Sequence, residues 1–220
     1  MNSFKLYTSF DREIRNRKDG LFVNTAEVTY WLNKALQEFV DKKYMDYQGS
    51  EDVIQDLKGL YTPATINVFV VTSEYPNTTT GALASNVRYI TNERCIITYS
   101  GSNINVKITP VTQDTINSKV KDPFSQHIYH QGKAEPLRQI EGSKIYLTTD
   151  GSYTIYEYAY KYLKDPTLFT IQSAVSLATL TEFPHKAYKE ILAIAVRMCL
   201  ENNSLARYNT YNLEEKKTEL

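Results

Sequence analysis

Apolar positions along this chain change rhythm twice. Between Asn24 and Tyr44, in "NTAEVTYWLNKALQEFVDKKY", they fall three and four apart at Val28, Trp31, Leu32, Ala35, Leu36, Phe39 and Val40. That spacing predicts a helix with one buried face, and Asn24 with Glu27 has the spacing of a capping box. Asn33, Lys34, Gln37, Glu38 and Asp41 fill the other side. Gly49 and Ser50 interrupt the pattern, and "SEDVIQDLKGL" predicts a second, shorter helix with Val53, Ile54, Leu57 and Leu60 apolar. Two helices joined by a short polar turn form an antiparallel hairpin. Ahead of it, residues 3–20 are polar and charge-rich, and read as a short solvated helix or arm ending at Gly20.

From Pro63 the period becomes two. The segments 65–72, 86–100 and 103–111 are rich in Val, Ile, Thr and Tyr, and "YPNTTTG" and "SGSN" separate them as turns. A short helix is expected in "TQDTINSKVKDPF", ended by Pro123, followed by a polar stretch containing "HIYH" and "EPL". Strands 143–149 and 153–163 come next, joined at Asp150-Gly151 as a hairpin. A last helix enters at Pro184, and Ile191, Leu192, Ile194, Ala195, Val196, Met198, Cys199 and Leu200 make it apolar over most of its circumference. Such a helix needs cover on more than one side, from its own sheet or from a neighbouring subunit. The order predicts an α+β fold in one domain: an N-terminal arm (1–23), a helical hairpin (24–61), a mostly antiparallel β region (62–163), a loop and closing helix (164–203) and a polar C-terminal arm (204–220).

Charge and candidate chemistry narrow the function. The 220 residues carry 25 Lys and Arg against 25 Asp and Glu, so the basic excess of a dedicated nucleic-acid binder is missing. The longest apolar run, Ile191 to Val196, falls far short of the roughly 20 residues that span a bilayer. No apolar stretch opens the chain, so no secretory signal is expected. Cys95 and Cys199 lie far apart and read as buried free thiols. His127 and His130 have no third ligand at zinc-site spacing, and His185 falls in the first turn of a helix. Phosphate-binding glycine loops and nucleophile motifs do not occur. Neither catalysis, nor a metal, nor a cofactor is expected.

The tyrosines ask for a different explanation. Of 18 in the chain, five fall in "YTIYEYAYKY" (153–162), and a period of two puts Tyr156, Tyr158, Tyr160 and Tyr162 on one face with Thr154. A strand of this length extends about 36 Å and is expected to run past its own sheet. The phenols could cover the sheet's own face, meet another subunit, stack on bases or hold a sugar.

Several pieces, in order, resemble the ring proteins of the neck in crAss-like tailed phages, relatives of head–tail connector adaptors. Leu32, Asn33, Lys34, Ala35, Gln37, Phe39 and Val40 match the first piece, with Leu36 where the family often has Gln. Asp56, Leu57 and Leu60 match the second, and Asp122, Pro123 and Phe124 the third. Tyr162, Lys164 and Pro166 match the fourth, although Asp165 stands where Lys is common. Phe183, Pro184, His185, Glu190, Ile191, Ala195 and Val196 match the fifth. The resemblance covers about residues 24–210, and is weakest over the first 20 residues and the strands between 65 and 111.

What it implies is a structural virion protein of the neck or tail, made in the bacterial host cytoplasm. It would assemble with itself as a ring of twelve copies between portal and tail, contacting portal and neighbouring ring proteins. Genomic DNA would cross the lumen without specific binding, which a net charge of zero suits. No membrane partner is implied. Tyr156, Tyr158, Tyr160 and Tyr162, with Arg207 and Tyr208 in the C-terminal arm, are the expected subunit contacts. The other reading is a β-rich module using the tyrosine face to bind carbohydrate or single-stranded nucleic acid.

Overall fold

The computed structural model describes residues 3–17, 23–46, 55–72, 75–130, 133–170 and 182–218, without the side chains of residues 3, 4, 17 and 204–218. The fold is α+β, and the chain divides into two units. Residues 1–60 and 166–220 form a helical unit, and residues 61–165, inserted between them in sequence, form a β unit.

In the helical unit, α1 (Ser3–Arg17) is the short helix expected, but one of its faces is buried where a solvated segment was expected. Leu6, Phe10 and Ile14 repeat every fourth residue and are completely buried, while Asp11 and Arg15 pair on the outside at 3.0 Å. The dense charge of this segment hides a three-residue apolar stripe. Helix α2 (Thr25–Met45) starts where expected: the Glu27 amide donates to Asn24 Oδ1 at 2.9 Å, and the Asn24 amide to Glu27 Oε2 at 3.0 Å. Its buried residues are Val28, Leu32, Ala35, Leu36, Phe39 and Val40. Ser50, Val53 and Ile54 of the expected second helix lie outside the described residues, and 55–60 form a last helical and 3₁₀ turn burying Leu57 and Leu60.

The closing helix, called α4 below, covers His185–Thr218 and packs against both α1 and α2. Ala187, Tyr188, Ile191, Ala195, Val196 and Cys199 are buried, while Leu192, Ile194, Met198 and Leu200 are half-buried. It runs 15 residues past the expected boundary at 203, because no Gly or Pro interrupts Leu, Ala, Arg, Glu and Lys there. Lys43 ties the unit together, with its ammonium 2.9 Å from Asp56 and 3.1 Å from Glu190. Burial alone would lower the Lys43 pKa, and the two carboxylates outweigh it and hold the group above its usual value. Asn33 closes a two-way bond to the backbone of Phe169, accepting from its amide at 2.6 Å and donating to its carbonyl at 3.1 Å.

The β unit stacks two sheets. One has the order β1 (Tyr61–Ile66), β9 (Thr154–Lys164), β4 (Val87–Tyr99), β5 (Ser102–Val106) and is antiparallel throughout. The other runs β2 (Val70–Val71), β3 (Thr78–Ala82), β8 (Lys144–Thr148), β7 (Leu137–Glu141), β6 (Thr109–Pro110), with only β6 and β7 parallel. A short helix α3 (Gln113–Lys121) follows β6. Ile145 and Leu147 of β8 meet Ile66, Tyr158, Tyr160 and Tyr162 in one core cluster between the sheets. At the β4–β5 turn Ser100 and Gly101 both have positive φ, as a two-residue primed hairpin requires.

Three strand expectations change. Strands β8 and β9 do not form a hairpin, because they belong to different sheets and Asp150-Gly151 is the corner between them. There the Asp150 carboxylate accepts from the Ser152 and Tyr129 amides, both at 2.8 Å, which turns the chain aside instead of back. The segments 65–72 and 103–111 are likewise divided: the first ends β1 at Ile66 and enters the other sheet at Val70, and the second ends β5 at Val106 and enters the other sheet at Thr109. Finally, β9 does not overrun its sheet: β1 flanks it on one side and β4, itself 13 residues long, on the other.

Gly59 offers a direct test of packing in the helical unit. A Cβ there would stand 2.1 Å from the Glu182 carbonyl oxygen, so backbone must move to admit it. Gly59→Ala is expected to cost about 1–3 kcal/mol, read as a lower midpoint of thermal unfolding.

Candidate functional site

The tyrosine row is where the sequence expects contact, and its geometry is set by pairing. On β9, Tyr162, Tyr160 and Tyr158 stand opposite Thr62, Ala64 and Ile66 of β1 and opposite Ile90, Glu93 and Cys95 of β4. Their rings succeed one another at 5.4 Å, and all three are less than 5% exposed. Each hydroxyl finds a partner at the core's margin. Tyr158 donates to Glu93 Oε2 at 2.8 Å, Tyr160 accepts from the Ala84 amide at 3.0 Å, and Tyr162 donates to Asn86 Oδ1 at 3.1 Å. Burial, reinforced by the Glu93 carboxylate, pushes the Tyr158 phenol far above its ordinary pKa.

This corrects the expectation for Tyr158, Tyr160 and Tyr162. They are core residues of their own β unit, and the fold leaves no face of them for a subunit, a base or a sugar. The reason is the second sheet, whose Ile145 and Leu147 lie over the row. Glu93 also accepts from Arg138 Nη2 of that sheet at 3.0 Å, so one carboxylate joins the phenol to a cross-sheet ion pair.

Tyr156 has a different fate. Ile96 pairs with Glu157 and Ile97 with Ile155, so Tyr156 is the extra residue of a β-bulge. The bulge resets the phase, placing Ile155 with the inward residues and leaving Tyr156 55% exposed. Tyr153 is buried as well, its hydroxyl donating to the His127 carbonyl at 2.8 Å. Strict alternation from 153 to 163 cannot reveal such a shift. Arg207 and Tyr208 fall on the backbone of α4, and their side chains lie outside the described residues.

The exposed apolar side chains of the β unit lie elsewhere. Val68, Val70 and Val71 are 80%, 63% and 77% exposed, and Val70 and Val71 make up the edge strand β2. Phe124 is 92% exposed at the tip of the "DPF" turn, where its amide donates to Asp122 Oδ1 at 2.9 Å. Beside it a cleft of about 570 Å³ is lined by Pro123, Phe124, Ile128, His130, Lys133 and Glu135 among others. Consecutive valines and a turn-borne Phe were visible in the sequence, but a buried strand shows the same valines. The helical unit exposes Tyr30, Met45 and Leu168.

Among the described residues no three His, Cys, Asp or Glu side chains gather where they could hold a metal ion. His127 is buried and His130 pairs by backbone with Lys133. Cys95 and Cys199 are buried free thiols, and burial pushes the Cys95 thiol up to about 12, against nucleophilic use. No helix among the described residues is long and apolar enough to cross a membrane. No protein-family model matches the chain, and no curated protein is significantly similar to it.

Two titrations give expected outcomes. Burial lowers the His127 pKa below 6.5, outweighing the pull of Asp150 and Asp122. Burial opposes ionisation of Asp150 too, but its hydrogen bonds from Ser152 and Tyr129 hold its pKa below 3.8. In both cases the unfolded chain takes up the proton first. Stability is therefore complete above the unfolded pKa and drains as pH falls through the folded one. The unfolding midpoint should drop as pH falls below 6.5, and His127→Gln should flatten that slope, while the decline below 3.8 persists in reduced form because His127 is the least of the groups that hold Asp150 down. An unchanged slope in the variant would remove His127 from the account. Separately, Tyr158→Phe strips Glu93 of a donor and should lower stability by about 1–3 kcal/mol, measured by denaturant titration.

Proposed function

We propose that this chain is a structural virion protein that forms a ring in the head–tail connector of a tailed phage. The ring of twelve copies stands between portal and tail and lines the channel that DNA crosses. The observation that carries this reading is the order of five family-like pieces from Leu32 to Val196. Two of those pieces also have the surface character that assembly needs. The "DPF" piece carries Phe124 on a turn held by Asp122, and the closing-helix piece leaves Leu192 and Ile194 only half-covered. Apolar side chains fixed in the open favour burial against a neighbour. A net charge of zero lets a polyanion pass the wall without being held.

The tyrosine row lends no support, since its inner three members are spent on the core. The same fact weighs against the carbohydrate or single-stranded nucleic acid reading, whose platform would be those rings. Contacts in a ring are heterologous, so one surface must meet a different surface of the next copy. Tyr156 and Phe124 are the residues we assign to such contacts from the β unit.

Electron microscopy of the virion neck, with native mass measurement of the chain mixed with portal and neck proteins, tests the proposal. A ring of this chain between portal and tail is expected. Phe124→Asp should fold normally yet fail to enter the ring. A chain that stays monomeric with every neck partner, or is missing from the particle, overturns the reading.

A further inference from the structure

The segment that carries Phe124 is irregular backbone from Asp122 to His130, apart from the single bridge of His130 to Lys133. It is held to the rest of the β unit by the Tyr153 hydroxyl donating to the His127 carbonyl at 2.8 Å and the Tyr129 amide donating to Asp150 Oδ2 at 2.8 Å. The Glu135 amide donates to the Gln126 carbonyl at 2.7 Å, and the Tyr129 ring stacks on Tyr99 at 3.7 Å. Other bonds, from the Phe124 amide to Asp122 Oδ1 and from the Ser125 amide to the Asp122 carbonyl, stay within the turn. At the centre lies His127, 3% exposed, with an Nδ1 that is buried and has no hydrogen-bond partner among the described residues. The charged groups that act on this ring are Asp150 at the corner and Asp122 at the end of α3. Glu135 is turned to Thr109 Oγ1 at 2.9 Å, and Lys119, Lys121, His130 and Lys133 are exposed.

A neutral imidazole suits this setting and a charged one does not. Protonation makes both ring nitrogens donors, so Nδ1–H becomes a buried donor with no acceptor, on top of the cost of a buried charge. The two carboxylates are already engaged by backbone amides, Asp150 by Tyr129 and Ser152 and Asp122 by Phe124. We propose that protonation of His127 releases the segment 122–130 from the β unit, making the seat of Phe124 a proton-operated latch. The ring reaches water when the segment swings out, which breaks the ties to Tyr153, Asp150 and Glu135 and leaves the ladders of β4 and β9 whole. Such an opening costs less than unfolding, because few bonds of irregular backbone are lost. The turn is closed by Asp122 within the segment, so Phe124 moves with it. Burial holds the closed-state pKa below 6.5, and the exposed ring of the open state returns to about that value, so the open fraction is smallest above 6.5 and grows as pH falls. Acidification then withdraws a contact that the ring reading assigns to Phe124; that consequence rests on the ring reading, and the latch itself does not.

Amide hydrogen exchange on the full chain reads the latch, compared at about pH 7.5 and about pH 5 after correction for the intrinsic rate, with Asp150 ionised at both. Exchange of amides 124–130 should accelerate by about tenfold for each pH unit between 6.5 and the folded pKa, the slope of one proton. The amides of β4 and β9 should keep their protection. His127→Gln has no proton to gain and should abolish the acceleration. A second measurement leaves residue 127 unaltered: a spin label on Phe124→Cys should gain mobility over the same pH range, while the buried Cys95 and Cys199 stay unlabelled. Equal protection of 124–130 at both pH values overturns the proposal, and so does a label whose mobility does not change. An acceleration that persists in folded His127→Gln, or that spreads equally through β4 and β9, overturns it as well. The ring reading survives any of these results, since its test is entry into the neck.

Discussion

Three phenol rings between two sheets set the terms for the β unit. Tyr158, Tyr160 and Tyr162 fill the gap that Ile145 and Leu147 face from the other side, and their hydroxyls must still reach polar partners. A buried hydroxyl without a partner is costly, so the positions of Glu93, the Ala84 amide and Asn86 are constrained by the rings. Glu93 in turn holds Arg138 of the opposing sheet. Size, register and polarity are thereby coupled. A smaller side chain at any of the three positions would open a void, and a purely apolar one would strand an acceptor or a donor.

How far the sequence disclosed this depends on which forces are local. The capping box at Asn24 and Glu27, the buried face of α2 and the α+β class could be read because spacing alone encodes them. Strand β3 hid inside a Thr-rich stretch that resembles a turn, and β7 inside a polar loop, because both earn their pairing from β8 between them. The corner at Asp150-Gly151 looks like a hairpin until it is known which sheet each flanking strand joins. Tyr156 shows the same limit at the site: a one-residue bulge decides which phenol is left outside, and no local pattern announces it.

The distribution of apolar surface is therefore the reverse of what the tyrosine count suggests. In the row where tyrosines are densest, the residue type best suited to interfaces is spent on the interior at Tyr153, Tyr158, Tyr160 and Tyr162, while valines and a phenylalanine stand outside. Exposure at β2 and at the Asp122–Phe124 turn arises from backbone placement, an uncapped edge in one case and a side-chain-locked turn in the other.

The pairing of Tyr61 with Leu163 has a consequence for the chain's modularity. The first strand of the β unit lies beside its last, so entry and exit are one rung apart, about 5 Å. To the helical scaffold, a hundred-residue module thus presents the same mouth as a tight loop. Loops far from that mouth can therefore be lengthened or shortened without moving the two points at which the chain enters and leaves the module.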